Sequence, residues 1–294
     1  MKMYQVDAFS RELFKGNPAA VLVLDQWLDD VKMQNIALEN NLAETAFVKK
    51  IASNQDNLIS SEENVDSYEI RWFTPTVEVE FCGHATLASA FVLFKDFTQA
   101  TTIHFHVKNL GIFIIRQAED GKIEMNFPVR QPEKLVDYPA LLNQVIDRPF
   151  KEVYINAQAF ILVCESAQDV IEATPNLAVI RQLALEHHIS TAITANYNDL
   201  DLTITAQVNS MKHHQYDYVA RYFAPQKGID EDPVTGSMHT GLAPLWAEKL
   251  GKDQLIGYQA SARGGVLYCA LLPENRIEIS GYAKLYMQAD IFID

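Results

Sequence analysis

The chain has 294 residues, 48% of them apolar, and no apolar run long enough to span a membrane. Its 38 acidic residues against 24 basic ones leave a formal charge of −14, and no basic stripe offsets this locally, so nucleic acid and a membrane are both excluded as expected partners. Three cysteines, Cys82, Cys164 and Cys269, lack CxxC spacing and are odd in number, which supports neither a disulfide framework nor a zinc knuckle.

Strands are predicted at Tyr4–Phe9 and Ala19–Leu24, separated by the turn Lys15-Gly16-Asn17-Pro18. Asp29 and Asp30 open a helix whose apolar stripe is Val31, Met33, Ile36 and Ala37. A strand at Thr45–Val48 follows, then a polar, acidic loop across 53–66, then a strand at Tyr68–Phe73. Gly83 starts an apolar helix that runs to about Lys95, and strands fill 101–107, 111–116 and 122–127. The opening residues read as a strand, not as a signal peptide, which predicts a cytoplasmic address.

Two prolines and several charges in Pro128–Lys134 mark a boundary, giving domains 1–128 and 129–294, with the last strand able to pack back on the first domain. The second half repeats the programme. Strands are expected at Glu152–Asn156, Phe160–Cys164 and Tyr218–Phe223, helices at Leu177–His187 and Gly236–Leu250, and four strands after Leu255. The sequence itself shows the duplication. Ala37–Phe47 reappears as Ala184–Ile193, one residue short, so that Glu44 falls in a gap of the second copy. Arg71-Trp72-Phe73-Thr74-Pro75 leading to Cys82-Gly83-His84 is echoed by Arg221-Tyr222-Phe223-Ala224-Pro225 leading to Thr235-Gly236-Ser237. More faintly, Asn17–Leu24 is mirrored by Asn156–Val163. The fold class is therefore α+β: two pseudo-symmetric domains, each a curled mixed sheet around one long apolar helix.

The duplicated glycine-initiated helices carry the strongest chemical signal. Their first N–H groups lack intrahelical partners and lie at the positive end of the dipole, so Gly83 and Gly236 begin two anion sites, which together would grip a carboxylate. The bland alternative is that both glycines are turn residues and Ser237 a cap. Glu44, followed by an apolar strand, reads as a general base of raised proton affinity if it faces a cleft, and otherwise as a solvated loop residue. His84, in the first turn, is expected to be neutral because the dipole opposes its protonation. Asp232 is either a turn former before Pro233 or an acceptor for a substrate hydroxyl or amine. Cys82 has the place of a nucleophile or base with a lowered pKa, but its equivalent Thr235 is too weak a base for a two-base racemase. His104 with His106, His187-His188 and His213-His214 have no carboxylate at ligand spacing, so no metal is expected.

These residues resemble the PhzF-like (phenazine biosynthesis) isomerase family, of the diaminopimelate epimerase-like fold. The runs that carry the resemblance are Asp7-Ala8-Phe9, Gly16–Val21, Leu42–Val48, Phe73-Thr74-Pro75 with Cys82–Thr86, and Glu231–Ser237. The resemblance implies two mixed β-barrels, each around a central helix, with the active site between them, and a homodimer. It implies Glu44 as proton shuttle, with His84, Asp232 and Ser237 orienting a small carboxylate substrate. It also implies a reaction without metal or organic cofactor, the family's known one being isomerisation of trans-2,3-dihydro-3-hydroxyanthranilate. Two rivals stay open: an amino-acid epimerase or racemase of the same fold, and a small-molecule-binding protein without catalysis.

Overall fold

A computed structural model describes residues 1–51, 64–186, 200–209 and 215–293. The acidic loop expected at 53–66 falls for the most part outside these residues, as do His187-His188, His213-His214 and most of the Ala184–Ile193 echo. The chain divides into two compact units, Met1–Phe127 with Glu278–Asp294, and Pro128–Ile277. The C-terminal strand Ala283–Asp290 belongs to the first unit because it pairs antiparallel with β1 (Lys2–Ala8), and Ile291 and Ile293 pack on the cluster that contains Met3, Leu22 and Phe47. Among the described residues no helix is long and apolar enough to cross a membrane.

In the first unit, β1 pairs antiparallel with β2 (Asn17–Leu24), which is joined through α1 (Asp30–Asn40) to the parallel strand β3 (Glu44–Lys50). Asp29 caps α1 by accepting the amide of Lys32, and Asn41 closes it in the left-handed region at φ 48°. Val31, expected on the buried stripe, is 70% exposed; Met33, Ile36 and Ala37 form the buried face. Strand β4 (Val65–Phe73) lies antiparallel to β3 and, after the short β5 (Glu78–Val79) and the helix α2 (Gly83–Asp96), parallel to β6 (Thr102–Val107). β7 (Gly111–Gln117) and β8 (Ile123–Pro128) continue the sheet antiparallel.

Helix α2 packs against β1, β2 and β3 and is buried from Gly83 through Ala90 and again at Val92 and Leu93. Enclosure of this kind requires small residues and satisfied hydroxyls. Thr86 and Ser89 meet the second need by donating to the carbonyls of Cys82 and Ala85 at 2.6 and 2.7 Å.

The second unit repeats these pairings. β9 (Glu133–Leu135) and β11 (Ala159–Cys164) flank β10 (Phe150–Ile155) antiparallel. Two short helices, α3 (Ala167–Glu172) and α4 (Leu177–Glu186), lead to β12 (Asp201–Gln207), parallel to β11 as β3 is to β2. β13 (Tyr218–Phe223) is antiparallel to β12 and, across α5 (Gly236–Leu250), parallel to β14 (Gln254–Gln259), which pairs with β15 (Gly265–Leu272). Helix α5 tolerates Pro244 because the carbonyl that loses its helical donor, that of Thr240, accepts the amide of Arg130 at 3.1 Å. Strand β12 and helix α3 have no counterpart among the predicted elements. Asp-Leu-Thr-Ile-Thr-Ala is buried on both faces, with only Gln207 exposed, so its threonines mask an interior strand.

Register fixes the correspondence between the copies. Thr45 pairs with Phe73 and Phe47 with Arg71; Leu202 pairs with Phe223 and Ile204 with Arg221. Arg71 therefore matches Arg221, and both make the same fork. Arg71 donates to both oxygens of Glu78 at 2.7 Å, and Arg221 to both of Glu231 at 2.7 and 2.9 Å. Each glutamate sits five residues before the glycine that starts the helix, so a bidentate clamp ties each entry turn to its sheet.

Two predictions test this packing. Gly16 has φ +67°, and a Cβ there would lie 2.0 Å from the carbonyl oxygen of Ala8, whereas Gly121 at φ +83° has nothing within 4 Å. We expect Gly121→Ala to cost about 1–2 kcal/mol from its left-handed backbone alone, and Gly16→Ala clearly more, read as urea midpoints. Equal midpoints would remove the steric account of the Asp7–Asn17 loop.

The second prediction concerns His239, fully buried in α5 with Tyr218 Oη 2.6 Å from its Nδ1; burial pushes its pKa from 6.5 to about 3 against a smaller opposing effect of Gln259. A depressed folded-state pKa contributes stability above the unfolded value near 6.5 and loses it as pH falls toward 3. Below pH 6.5 the parent should lose stability faster than His239→Gln, by about tenfold in the folding equilibrium per pH unit. Parallel stability curves would show that His239 is not held neutral.

Candidate active site

Glu44 opens β3 opposite Ala19, and His84 is the second residue of α2. The fold brings them together: Glu44 Oε2 is 3.0 Å from His84 Nε2, with both side chains buried. The approach is close but not an aligned hydrogen bond, and Oε2 has no hydrogen-bond partner. On the other side of the ring, Asn17 Nδ2 donates to Nδ1 at 3.1 Å and Cys82 Sγ lies 3.4 Å away. Asn17 is placed by the loop before it, where Asp7 accepts the amide of Phe14 at 2.8 Å. With Nδ1 accepting from Asn17, the ring proton sits on Nε2 and faces Glu44; turning the Asn17 amide would present its oxygen to a second proton.

The electrostatics differ from what the helix start alone dictates. Burial lowers the His84 pKa, but Cys82 and Glu44 outweigh it, and the result lies well above 6.5. Burial and Glu44 push the Cys82 thiol up to about 11. A neutral thiol exerts no charge effect, so at neutral pH the Glu44 carboxylate does the raising. The expected neutral imidazole is thus reversed by a neighbour 40 residues away in sequence, and so is the lowered cysteine pKa, because desolvation exceeds the dipole's help.

Neither helix has a side-chain cap. Cys82 and Thr235 occupy the N-cap positions with extended backbone and cap nothing. The hydroxyl of Thr235 donates to Asp232 instead. Gln259, fully buried at the end of β14, accepts from the Thr235 amide at 2.7 Å and donates to the Asp232 carbonyl at 2.8 Å, which fixes the turn carrying Asp232. Ser237, the second residue of α5, accepts from Gln158 Nε2 at 2.9 Å. An amide from the second strand region of each unit thus holds the second helix residue: Asn17 holds His84, and Gln158 holds Ser237. Gln158, Gln259 and Asn17 are site-building residues that sequence reasoning did not single out.

Glu44 does have a counterpart. Glu44 pairs with Ala19, and Asp201 with Ala159, and each is followed by the residue opposite Phe73 or Phe223. The expected gap is corrected to Asp201, which was hidden because residues 187–200 of the second copy stand where the first has only 41–43. Asp201 is occupied differently. It accepts from Tyr222 Oη, from Gln226 Nε2 at 2.5 Å and from Lys227 Nζ at 2.8 Å. Its link to Ser237 runs through Tyr222 and Gln158, whereas Glu44 reaches His84 directly.

Among the described residues, Glu44, Cys82 and His84 are the group whose ligand-type atoms lie within 4.8 Å of one another. His104 and His106, both on β6, take no part in it.

The model of the phenazine biosynthesis-like protein family matches residues 6–289. An uncharacterized isomerase of Pseudomonas aeruginosa is 37% identical over 100% of this chain and 99% of its own. The crystal structure of a putative phenazine biosynthesis PhzC/PhzF protein from Clostridium difficile is 39% identical, with all of both chains covered and a TM-score of 0.84. A predicted epimerase from Pseudomonas aeruginosa, 16% identical with 100% and 99% coverage and a TM-score of 0.64, shares the fold. With the family model matching nearly the whole chain and isomerases among its end-to-end relatives, the chain belongs to the phenazine biosynthesis-like family and is an isomerase of that family.

Proposed function

We propose that this isomerase moves a proton on a small carboxylate substrate with Glu44 as its single base, without metal or organic cofactor. The observation that carries the reading is the buried Glu44 Oε2, 3.0 Å from His84 and without a hydrogen bond, beside the uncapped start of α2. A substrate carboxylate at a helix start lowers the cost of negative charge on the neighbouring carbon. Glu44 takes the proton from that carbon and returns it elsewhere on the same face, so one base serves both transfers. His84 holds a proton on Nε2 and keeps the carboxylate in place. The resemblance to the family gives Asp232, held by Gln259, and Ser237, held by Gln158, the role of orienting the substrate. The resemblance to the family supports a homodimer, and the charge of −14 supports a small-molecule rather than a nucleic-acid partner.

In heavy water, with a panel of cyclic and amino carboxylates followed by NMR, we expect C–H exchange that Glu44→Gln reduces about 10²–10⁴-fold at unchanged fold. Asp201→Asn makes the contrast. It should cost about 1–3 kcal/mol of stability by weakening a buried acceptor, with turnover per folded molecule within about tenfold. Near-normal exchange by Glu44→Gln would remove that residue from the mechanism.

Cys82 separates this reading from the racemase. A buried thiol held up at about 11 keeps its proton at neutral pH and cannot accept another, and Thr235 offers no opposing base. Cys82→Ala should therefore keep turnover within several-fold. A loss matching that of Glu44→Gln, together with inactivation of the parent by thiol alkylation, would promote the two-base mechanism.

A further inference from the structure

We propose that Gln158 is a positioning residue of this isomerase: held by Arg130 so that it can only donate toward Ser237, it turns the Ser237 hydroxyl proton outward to a carboxylate oxygen of the substrate. The direction of the proton rests on hydrogen-bond chemistry alone. The carboxylate that receives it rests on the reading of the protein as an isomerase of a small carboxylate.

A side-chain amide accepts at its oxygen and donates at its nitrogen, and its partners tell the two ends apart. Arg130 Nη1 donates to Gln158 Oε1 at 2.6 Å, and a guanidinium has only donors to give. The oxygen of Gln158 therefore faces Arg130. Its nitrogen faces the other way, where Tyr222 Oη lies at 2.8 Å and Ser237 Oγ at 2.9 Å. Two N–H bonds meet two hydroxyl oxygens, and neither hydroxyl can give a proton back to that nitrogen. Tyr222 sends its proton to Asp201. Burial and then Asp201 hold this phenol well above 10, while Gln158 acts in the opposite direction, as a donor to the oxygen does.

Ser237 has no such acceptor. Thr86, Ser89 and Thr240 donate to carbonyls of their own helices at 2.6, 2.7 and 2.7 Å, whereas among the described residues none takes the Ser237 proton. The residue is second in α5, whose start has no side-chain cap, so its proton joins the N–H groups of a helix end that favours an anion. An oxygen that already accepts from Gln158 and has its own proton to give is complementary to an anionic acceptor.

The amide is itself well anchored. Asn156 Oδ1 accepts the backbone amides of Gln158 and Ala159 at 2.9 and 3.0 Å, and the Arg130 amide donates to the Thr240 carbonyl of α5 at 3.1 Å. The first copy directs a proton in the same way from one position away. Ala19 matches Ala159, and Asn17 donates to His84 Nδ1, which leaves the Nε2 proton facing Glu44.

Gln158→Glu separates this role from a structural one. It has nearly the same shape and keeps an oxygen for Arg130, but its other oxygen accepts, so the Ser237 proton should turn inward. Neutron diffraction from deuterium-exchanged crystals reads this without a ligand. The parent should show the Ser237 deuteron directed away from Gln158, and Gln158→Glu should show it on the new carboxylate. A parent deuteron pointing at Gln158 overturns the proposal.

In heavy-water exchange of a carboxylate from the panel, Gln158→Glu and Ser237→Ala should each raise KM about 10–100-fold, the loss of one hydrogen bond to a charged group. Turnover at saturation should stay within several-fold, because the carboxylate is charged before and after the proton moves. The double variant should be no worse than either single one. If Gln158→Glu still raises KM on top of Ser237→Ala, it acts by repelling the substrate, and the positioning role falls. Gln158→Met, which neither donates nor captures the proton, should lie between the parent and Gln158→Glu, and takes its place in the same cycle if Gln158→Glu does not fold. If Glu44→Gln abolishes exchange while these variants keep the parent KM, the catalytic reading stands and this role does not. If the parent exchanges no carboxylate of the panel, the reading of Glu44 falls and the carboxylate half of this proposal with it, and the neutron map decides the rest.

Discussion

The contact between Glu44 and His84 is the point from which the site follows. It joins the first residue of a central strand to the second residue of an enclosed helix. A helix buried on nearly every side has only its ends to offer chemistry, and here the N-terminal end is left without a side-chain cap. The sheet that encloses α2 also brings in the start of β2, with Asn17, and the start of β3, with Glu44. Three elements distant in sequence thereby converge on one imidazole. Buried charge of this kind is tolerable only when paired, and the raised His84 pKa is the electrostatic trace of that pairing.

Duplication explains why both units build such a place, and divergence explains why they differ. The Arg–Glu forks, the glycine at each helix start and the amide on the second helix residue are common to both copies. At the matching strand start, however, one copy has the longer glutamate against a histidine, and the other the shorter aspartate among a tyrosine, a glutamine and a lysine. Asp201 is surrounded by donors and serves as an anchor. Glu44 keeps a buried oxygen without one, an expense that structure alone does not justify.

Much of this was legible in the sequence, and for identifiable reasons. Gly83 and Gly236 announced their helices because apolar runs follow them, and Arg71 and Arg221 stood in matching echoes that the strand registers reproduce. Strand β12 escaped because buried threonines look polar to a pattern search, and Asp201 escaped with it. The His84 and Cys82 electrostatics escaped for another reason. The helix start dictates the opposite for each, whereas the deciding charge arrives from β3, and only the parallel pairing of β2 with β3 sets that distance.

The same geometry bears on the choice of chemistry. A racemase that inverts a centre needs two bases on opposite faces, each able to exist in both protonation states near neutral pH. Cys82 is held as a thiol by burial and by Glu44, and the hydroxyl at the equivalent Thr235 is committed to Asp232. The glutamate that raises the cysteine pKa is the group best placed to accept a proton in its stead. Its own presence therefore disables the neighbouring alternative, which is the ground for proposing a single carboxylate as the base. A single carboxylate can return the proton only to the face it took it from. Relocation of a double bond or of a proton along one face is then the chemistry that this unit's geometry favours.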